Sequence, residues 1–204
     1  PNFSLKNKEK GGRSPPRFPS PTTGPKVLEI AIFCLQKRVY FACMSIKFIS
    51  PKKSVNSAFL KLPVPIEKME DFKLSLKNLY SKRNTAQDEE YHKGEIWNFL
   101  RKIFEPDYSV QVNRPIDLCV FNGNTASAKP AVIIEAKSPT NVAEMFSAEH
   151  PNVKSLQELV YYFMLEYVQS GNHEIKWLAI TNFDEWYFFD VKDFIRYFGN
   201  KSKP

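Results

Sequence analysis

Apolar residues fall along this chain in two rhythms. Over Ile66–Arg83, Ile66, Met69, Phe72, Leu76, Leu79 and Tyr80 recur at three- and four-residue steps, with Lys68, Lys73, Lys77 and Lys82 between them. That period predicts an amphipathic helix with a lysine-rich solvent face. Glu89–Phe104 repeats the pattern with Ile96, Phe99, Leu100 and Ile103, after a turn and cap over Asn84–Asp88 and before Pro106. Ser155–Gln169 is the most apolar helical stretch, with Leu156, Leu159, Val160, Phe163, Met164 and Tyr167 as its buried set. The other rhythm is short and continuous. Ile116–Phe121 and Ala131–Ile134 are rich in β-branched residues and flank the Gly/Asn/Ser/Pro segment Asn122–Pro130, a hairpin signal. Tyr108–Val112, Ile175–Thr181 and Trp186–Asp190 read as further strands. A short helix is expected over Asn141–Phe146 and an amphipathic one over Val191–Phe198. Helices interleaved with strands predict an α/β fold, a central mixed sheet flanked by helices.

Against this pattern, charge in the hairpin stands out. Asp117 interrupts the first strand, and Glu135 and Lys137 end the second. Side chains alternate along a strand, so Glu135 and Lys137 share a face and Ala136 points away. Antiparallel pairing brings Asp117 beside them. Two carboxylates on rigid strands suit a hard divalent cation, completed by the Ala136 carbonyl and waters. A neighbouring lysine orients or deprotonates an attacking water, or stabilises charge on a phosphate. The bland alternative is a surface ion pair at a strand end.

Length and composition narrow the reading. The 204 residues suit one domain, and 43% hydrophobic content is ordinary for a globular chain. A formal charge of +7 suits a nucleic-acid partner, although much of the excess lies near the N-terminus. Cys34, Cys43 and Cys119 lack metal-ligand spacing, and their odd number argues against a disulfide framework, so a reducing cytoplasm is expected. Pro1–Pro25 is rich in Pro, Lys, Ser and Gly and is expected to be disordered. Val27–Ile46 is broken by Glu29, Gln36, Lys37 and Arg38, too often for a membrane span. The expected organisation is a leader over 1–43 with a natural start at Met44, one domain over 44–198, and a tail over 199–204.

The constellation Asp117…Glu135-Ala136-Lys137 resembles the PD-(D/E)XK motif of restriction endonucleases, with Ile116 before the aspartate and Pro115 one place earlier. ISPKKSVNSAFLK (Ile49–Lys61), DEEYHKGEIWNFL (Asp88–Leu100), IIEAKSPTNVAEM (Ile133–Met145) and LAITNFDEWYFFD (Leu178–Asp190) resemble the N-terminal nuclease domain of type IIG enzymes. In these, nuclease and adenine methyltransferase share one polypeptide.

The resemblance implies a restriction-endonuclease-like fold and Mg²⁺-dependent hydrolysis of double-stranded DNA, with Mn²⁺ as a substitute. It implies Asp117 and Glu135 as metal ligands with Ala136, Lys137 as the residue that positions the nucleophile, and an acid on the first core helix, Glu89 or Glu90, leaning toward the metal. Gln157 and Tyr161, four apart on one helix face, resemble the Gln-x-x-x-Tyr element of RecB-like nucleases, which supports the lysine or contacts DNA. Arg114, Ser138 and His92 are further candidates for DNA contact. Packing or capping is the alternative for His92 and Ser138.

The chain has no Gly-rich loop for S-adenosylmethionine and no Asn-Pro-Pro-aromatic motif. Methyltransferase and target-recognition regions are therefore expected in a longer enzyme or a partner subunit. Cutting both strands with one site calls for two copies, so a transient dimer is expected. Two readings stay open beside the nuclease: a catalytically silent DNA-binding or scaffold module, and a nuclease acting on RNA or single strands.

Overall fold

The structure is a computed structural model that describes residues 49–113 and 115–199. The expectations for the leader over 1–43, the start at Met44, Arg114 and the residues from 200 onward lie outside the described residues.

After a one-turn helix α1 (Pro51–Ser54) come two long helices, α2 (Ile66–Ser81) and α3 (Glu89–Phe104). A β-meander follows, β1 (Val110–Asn113), β2 (Ile116–Phe121) and β3 (Pro130–Ala136). Helix α4 (Lys154–Phe163) then crosses to β4 (Trp177–Thr181), β5 (Trp186–Asp190) closes the sheet, and α5 (Val191–Phe194) follows it. The sheet order is β1-β2-β3-β4-β5. All neighbours run antiparallel except β3 and β4, which are parallel. A parallel pair needs a crossover, and α4 supplies it. The molecule is thus α/β with a mixed five-stranded sheet flanked by helices.

Alternation along the strands makes two cores. Cys119, Ile133, Leu178 and Ile180 face Leu156, Leu159, Val160 and Phe163 of α4 and Phe194 of α5. Leu118, Val120, Ile134, Ala136 and Ala179 face the other way, toward Leu79 of α2 and Ile96 and Leu100 of α3. Helix α3 starts where the sequence says it should. Asp88 caps it, its carboxylate accepting the Tyr91 N–H at 2.9 Å, and Glu89 and Glu90 sit in the first turn, where the helix dipole favours acids.

Several expectations are corrected. Asn141–Phe146 forms turns rather than a helix; there Asn141 and Ser138 bond the following backbone, in competition with helical hydrogen bonds. The last helical stretch of each C-terminal element widens into a π-helix, over Met164–Gln169 and Ile195–Gly199. The stripe on α2 is buried only toward its end: Leu79 is enclosed, whereas Ile66, Met69, Phe72 and Tyr80 are exposed, because only the later turns pack closely on α3. The sequence also leads us to expect the strands of Asp117 and Glu135 to meet at one sheet edge, and this strand pair does not lie there. It occupies the second and third places of five, since β1 covers one side and β4 the other. Among the described residues no helix is long and apolar enough to cross a membrane.

Candidate active site

Strands β2 and β3 pair Leu118 with Ile134, and one further step in that register sets Asp117 opposite Glu135. Asp117 is fixed by the backbone of the facing strand: the Ala136 N–H donates to its Oδ2 at 3.0 Å. Ala136 itself buries its methyl in the core toward α3. Glu135 and Lys137 leave β3 on the opposite face, toward α4. The Lys137 backbone N–H donates to the Thr181 carbonyl at 2.8 Å, which holds the strand end against β4.

Six charged side chains converge there. The Lys137 Nζ lies 2.5 Å from Glu135 Oε1, 2.6 Å from Glu158 Oε2 and 3.9 Å from Glu89 Oε1. The Lys93 Nζ lies 3.0 Å from Glu89 Oε1 and 2.9 Å from Asp117 Oδ1. Glu89 Oε2 also accepts the Ser138 N–H at 3.4 Å, so the first turn of α3 is tied to the exit from β3. Glu135 is fully enclosed and Lys137 is 3% exposed. Neither Glu135 oxygen accepts a hydrogen bond of good geometry, and its contact with Lys137 is an ion pair.

These surroundings set the protonation states. Burial raises the Glu135 pKa well above the usual carboxylate range, the charge of Asp117 adds to this, and Lys137 offsets only part of it. Burial also works against the Lys137 ammonium, but Glu135 and Glu158 outweigh it and hold the lysine protonated. An ammonium held in this state can donate hydrogen bonds but is poorly suited to take up a proton. Lys93 is held protonated in the same way, burial being outweighed by Asp117 and Glu89.

The helical supports sit one residue along from the expected ones. Gln157 donates to Asn152 Oδ1 at 3.0 Å, near the start of α4, while the neighbouring Glu158 reaches Lys137. Tyr161 packs against the α4-side core, and Tyr162 is the tyrosine that lies in the field of the acids. Burial, then Glu135, Asp117 and Glu158, push the Tyr162 hydroxyl pKa upward. Glu158 and Tyr162 are also four apart. It is this pair, and not Gln157 and Tyr161, that faces the acids.

His92 is fully buried. Its Nδ1 lies 2.7 Å from the Asp88 carbonyl oxygen, and its ring packs edge-on to Phe183, so it is packed inside the fold. Ser138 is buried too, its hydroxyl 2.9 Å from Thr140 Oγ1 and accepting the Thr140 N–H, which makes it the cap of the turn. An open groove lies at the same end of the sheet, lined by Met145, Phe146, His150, Asn182, Asp184 and Glu185, beside the charged cluster rather than around it.

The donor set suits a hard cation. Glu89, Asp117, Glu135 and Glu158 set four carboxyls against the ammoniums of Lys93 and Lys137, a surplus of two negative charges when all are ionised. Two enclosed oxygens of Glu135 lack hydrogen bonds. A divalent ion would answer both features. In their present positions, however, no three His, Cys, Asp or Glu side chains among the described residues are placed to hold a metal ion. The lysines stand between the acids.

Comparison with known proteins adds a family without an activity. No curated protein and no solved structure matches the chain. The family model described as Domain of unknown function (DUF7149) matches residues 49–203, and the chain belongs to that family.

Proposed function

We propose that this chain is the cleavage domain of a DNA endonuclease with a restriction-endonuclease-like fold, working in the cytoplasm as part of a restriction–modification enzyme. The observation that carries the reading is the placement of Asp117 opposite Glu135 on two interior strands, with protonated Lys137 beside Glu135. Structural ion pairs belong on surfaces, where they cost little. A fully enclosed carboxylate without good hydrogen bonds is costly to fold and calls for another reason to be there.

Asp117 and Glu135 would hold Mg²⁺ (or Mn²⁺), with Glu89 at its margin and the Ala136 carbonyl as a further donor. When bound, the ion supplies a water of lowered pKa and neutralises charge on the phosphate. The remaining work falls to the chain. Lys137, held between Glu135 and Glu158, directs its ammonium at the attacking water and the non-bridging phosphate oxygens. Glu158 keeps that ammonium aligned, and Tyr162 walls the site from solvent. The water oxygen forms a new bond to phosphorus as the phosphorus–oxygen bond to the leaving sugar breaks. The water proton leaves to solvent or an acid of the cluster, and the leaving alkoxide gains a proton from solvent. Double-stranded DNA is the proposed substrate. Methyltransferase and recognition regions are the proposed partners, and a second copy would cut the second strand.

Plasmid nicking with Mg²⁺ tests this: the wild type converts supercoiled DNA and Lys137→Ala does not. Equal cleavage by both would remove the site assignment. One observation favours the silent-module reading, namely that lysines bridge the acids. DNA binding without Mn²⁺ binding or cleavage would establish that reading instead.

A further inference from the structure

Lys93 takes no part in the mechanism above, yet it sits at the centre of the acids. It follows Glu89 by one turn of α3. Its ammonium touches Glu89 Oε1 and Asp117 Oδ1 at 3.0 and 2.9 Å, and Glu90 Oε1 at 3.3 Å. The side chain is 15% exposed. Two of these three carboxyls are ones a divalent ion at Asp117 and Glu135 would draw on. An ammonium and a hard metal ion seek the same ligands, oxygens bearing negative charge, so they cannot share Asp117 Oδ1 at full strength.

We propose that Lys93 is a resident counter-ion that competes with the divalent cation for Asp117 and Glu89, and that its ammonium swings aside to admit the metal. The inference rests on the nuclease reading of the site. Lys137 cannot play this part, because it is enclosed between Glu135 and Glu158. Lys93 has somewhere to go. Glu90 is 81% exposed and already within reach, so the ammonium retires to it and keeps an ion partner. The same contact explains why the acids fail to converge on one point: Lys93 draws Glu89 and Asp117 toward itself, while Lys137 draws Glu135 toward α4. In the metal-free protein, Lys93 thus screens Asp117 from its neighbour across the strands. Once displaced, it becomes a mobile cation at the rim of the site.

The test is calorimetric titration of the whole chain with Mn²⁺, without DNA, on the wild type, Lys93→Met, Lys93→Arg and Asp117→Asn. Lys93→Met is expected to bind Mn²⁺ about tenfold more tightly or better, the scale of one partly screened unit charge at this range. Lys93→Arg keeps the competing charge and stays near the wild type, and Asp117→Asn loses binding. Equal or weaker binding by Lys93→Met, with binding still lost in Asp117→Asn, overturns the counter-ion role and leaves the nuclease site standing. Absence of Mn²⁺ binding in the wild type and Lys93→Met alike removes both. The wild type gives a check that needs no variant: the ε-methylene NMR signals of Lys93 move with Mg²⁺ along the binding isotherm. Signals that stay still at saturation overturn the displacement.

Discussion

Glu135→Gln isolates the cost of the central carboxyl. The Glu135 side chain is fully enclosed, and burial, reinforced by Asp117, raises its pKa in the folded protein. In the unfolded chain a glutamate titrates at about 4.3. Below that pH both states are protonated and the residue adds no penalty. As the pH rises toward the folded value, the unfolded chain ionises first, and stability is lost. The slope is at most about 1.4 kcal/mol per pH unit for one proton. From pH 5.5 to 8 that gives an upper bound of about 3.4 kcal/mol, and relaxation with water entry brings it to roughly 2 kcal/mol. A domain of this size loses about 2–4 °C in melting temperature per kcal/mol, so the shift is about 4–8 °C. Glutamine does not titrate, and its amide oxygen can still accept from Lys137. The measurement is thermal unfolding by circular dichroism, in chelator, at pH 5.5 and 8. The variant should gain about 4–8 °C on the wild type between the two conditions. The other carboxyls are common to both proteins and cancel. A difference in melting temperature that is the same at both pH values, or that favours the wild type at pH 8, refutes the reasoning.

The remaining predictions concern neighbouring residues. Glu158→Gln should lower Mg²⁺-dependent plasmid nicking by about ten- to a hundredfold, the usual effect of losing an outer partner of a metal site, while Gln157→Ala stays near the wild type. The opposite order would return the supporting role to Gln157. Lys137→Met removes the ammonium that Glu135 and Glu158 share and should cost about 1–3 kcal/mol in urea unfolding, at pH 5 and pH 8 alike. An unchanged midpoint would show that the pair contributes nothing to folding. Cys119 is fully buried, and burial, with a contribution from Glu166, raises its thiol pKa, so a disulfide reagent should modify it only as fast as the protein opens. Labelling within the mixing time would contradict the packing around β2.

Local chemistry was legible in the sequence wherever it fixes an element's ends. Helix α3 occupies Glu89–Phe104 as read, because Asp88 caps it and Pro106 follows its end, and β2 and β5 match the residues expected of them. The position of Asp117 against Glu135 also followed from alternation and one hairpin. Choices between equivalent faces were less accessible. Gln157/Tyr161 and Glu158/Tyr162 have the same spacing, and only the rotation of α4 against β3 selects the second pair. The exposure of Ile66 and Phe72 depends on how far α2 runs alongside α3, a tertiary matter that the three- and four-residue steps do not encode. Lys93 stood in plain view as an ordinary i,i+4 partner of Glu89. Its contact with Asp117, 24 residues on in the chain, belongs to the fold alone.

Placing the acids on interior strands also decides when the site comes apart. Strands β2 and β3 each have a hydrogen-bonded neighbour on both sides, so their amide hydrogens should exchange with solvent only when the whole domain unfolds. Glu89, Lys93, Glu158 and Tyr162 ride on covering helices, whose ends open at lower free energy. Chemistry anchored this way has a rigid floor and adjustable walls. Its geometry persists through local fluctuations, and changes in specificity can accumulate on α3 and α4 without disturbing the pair beneath.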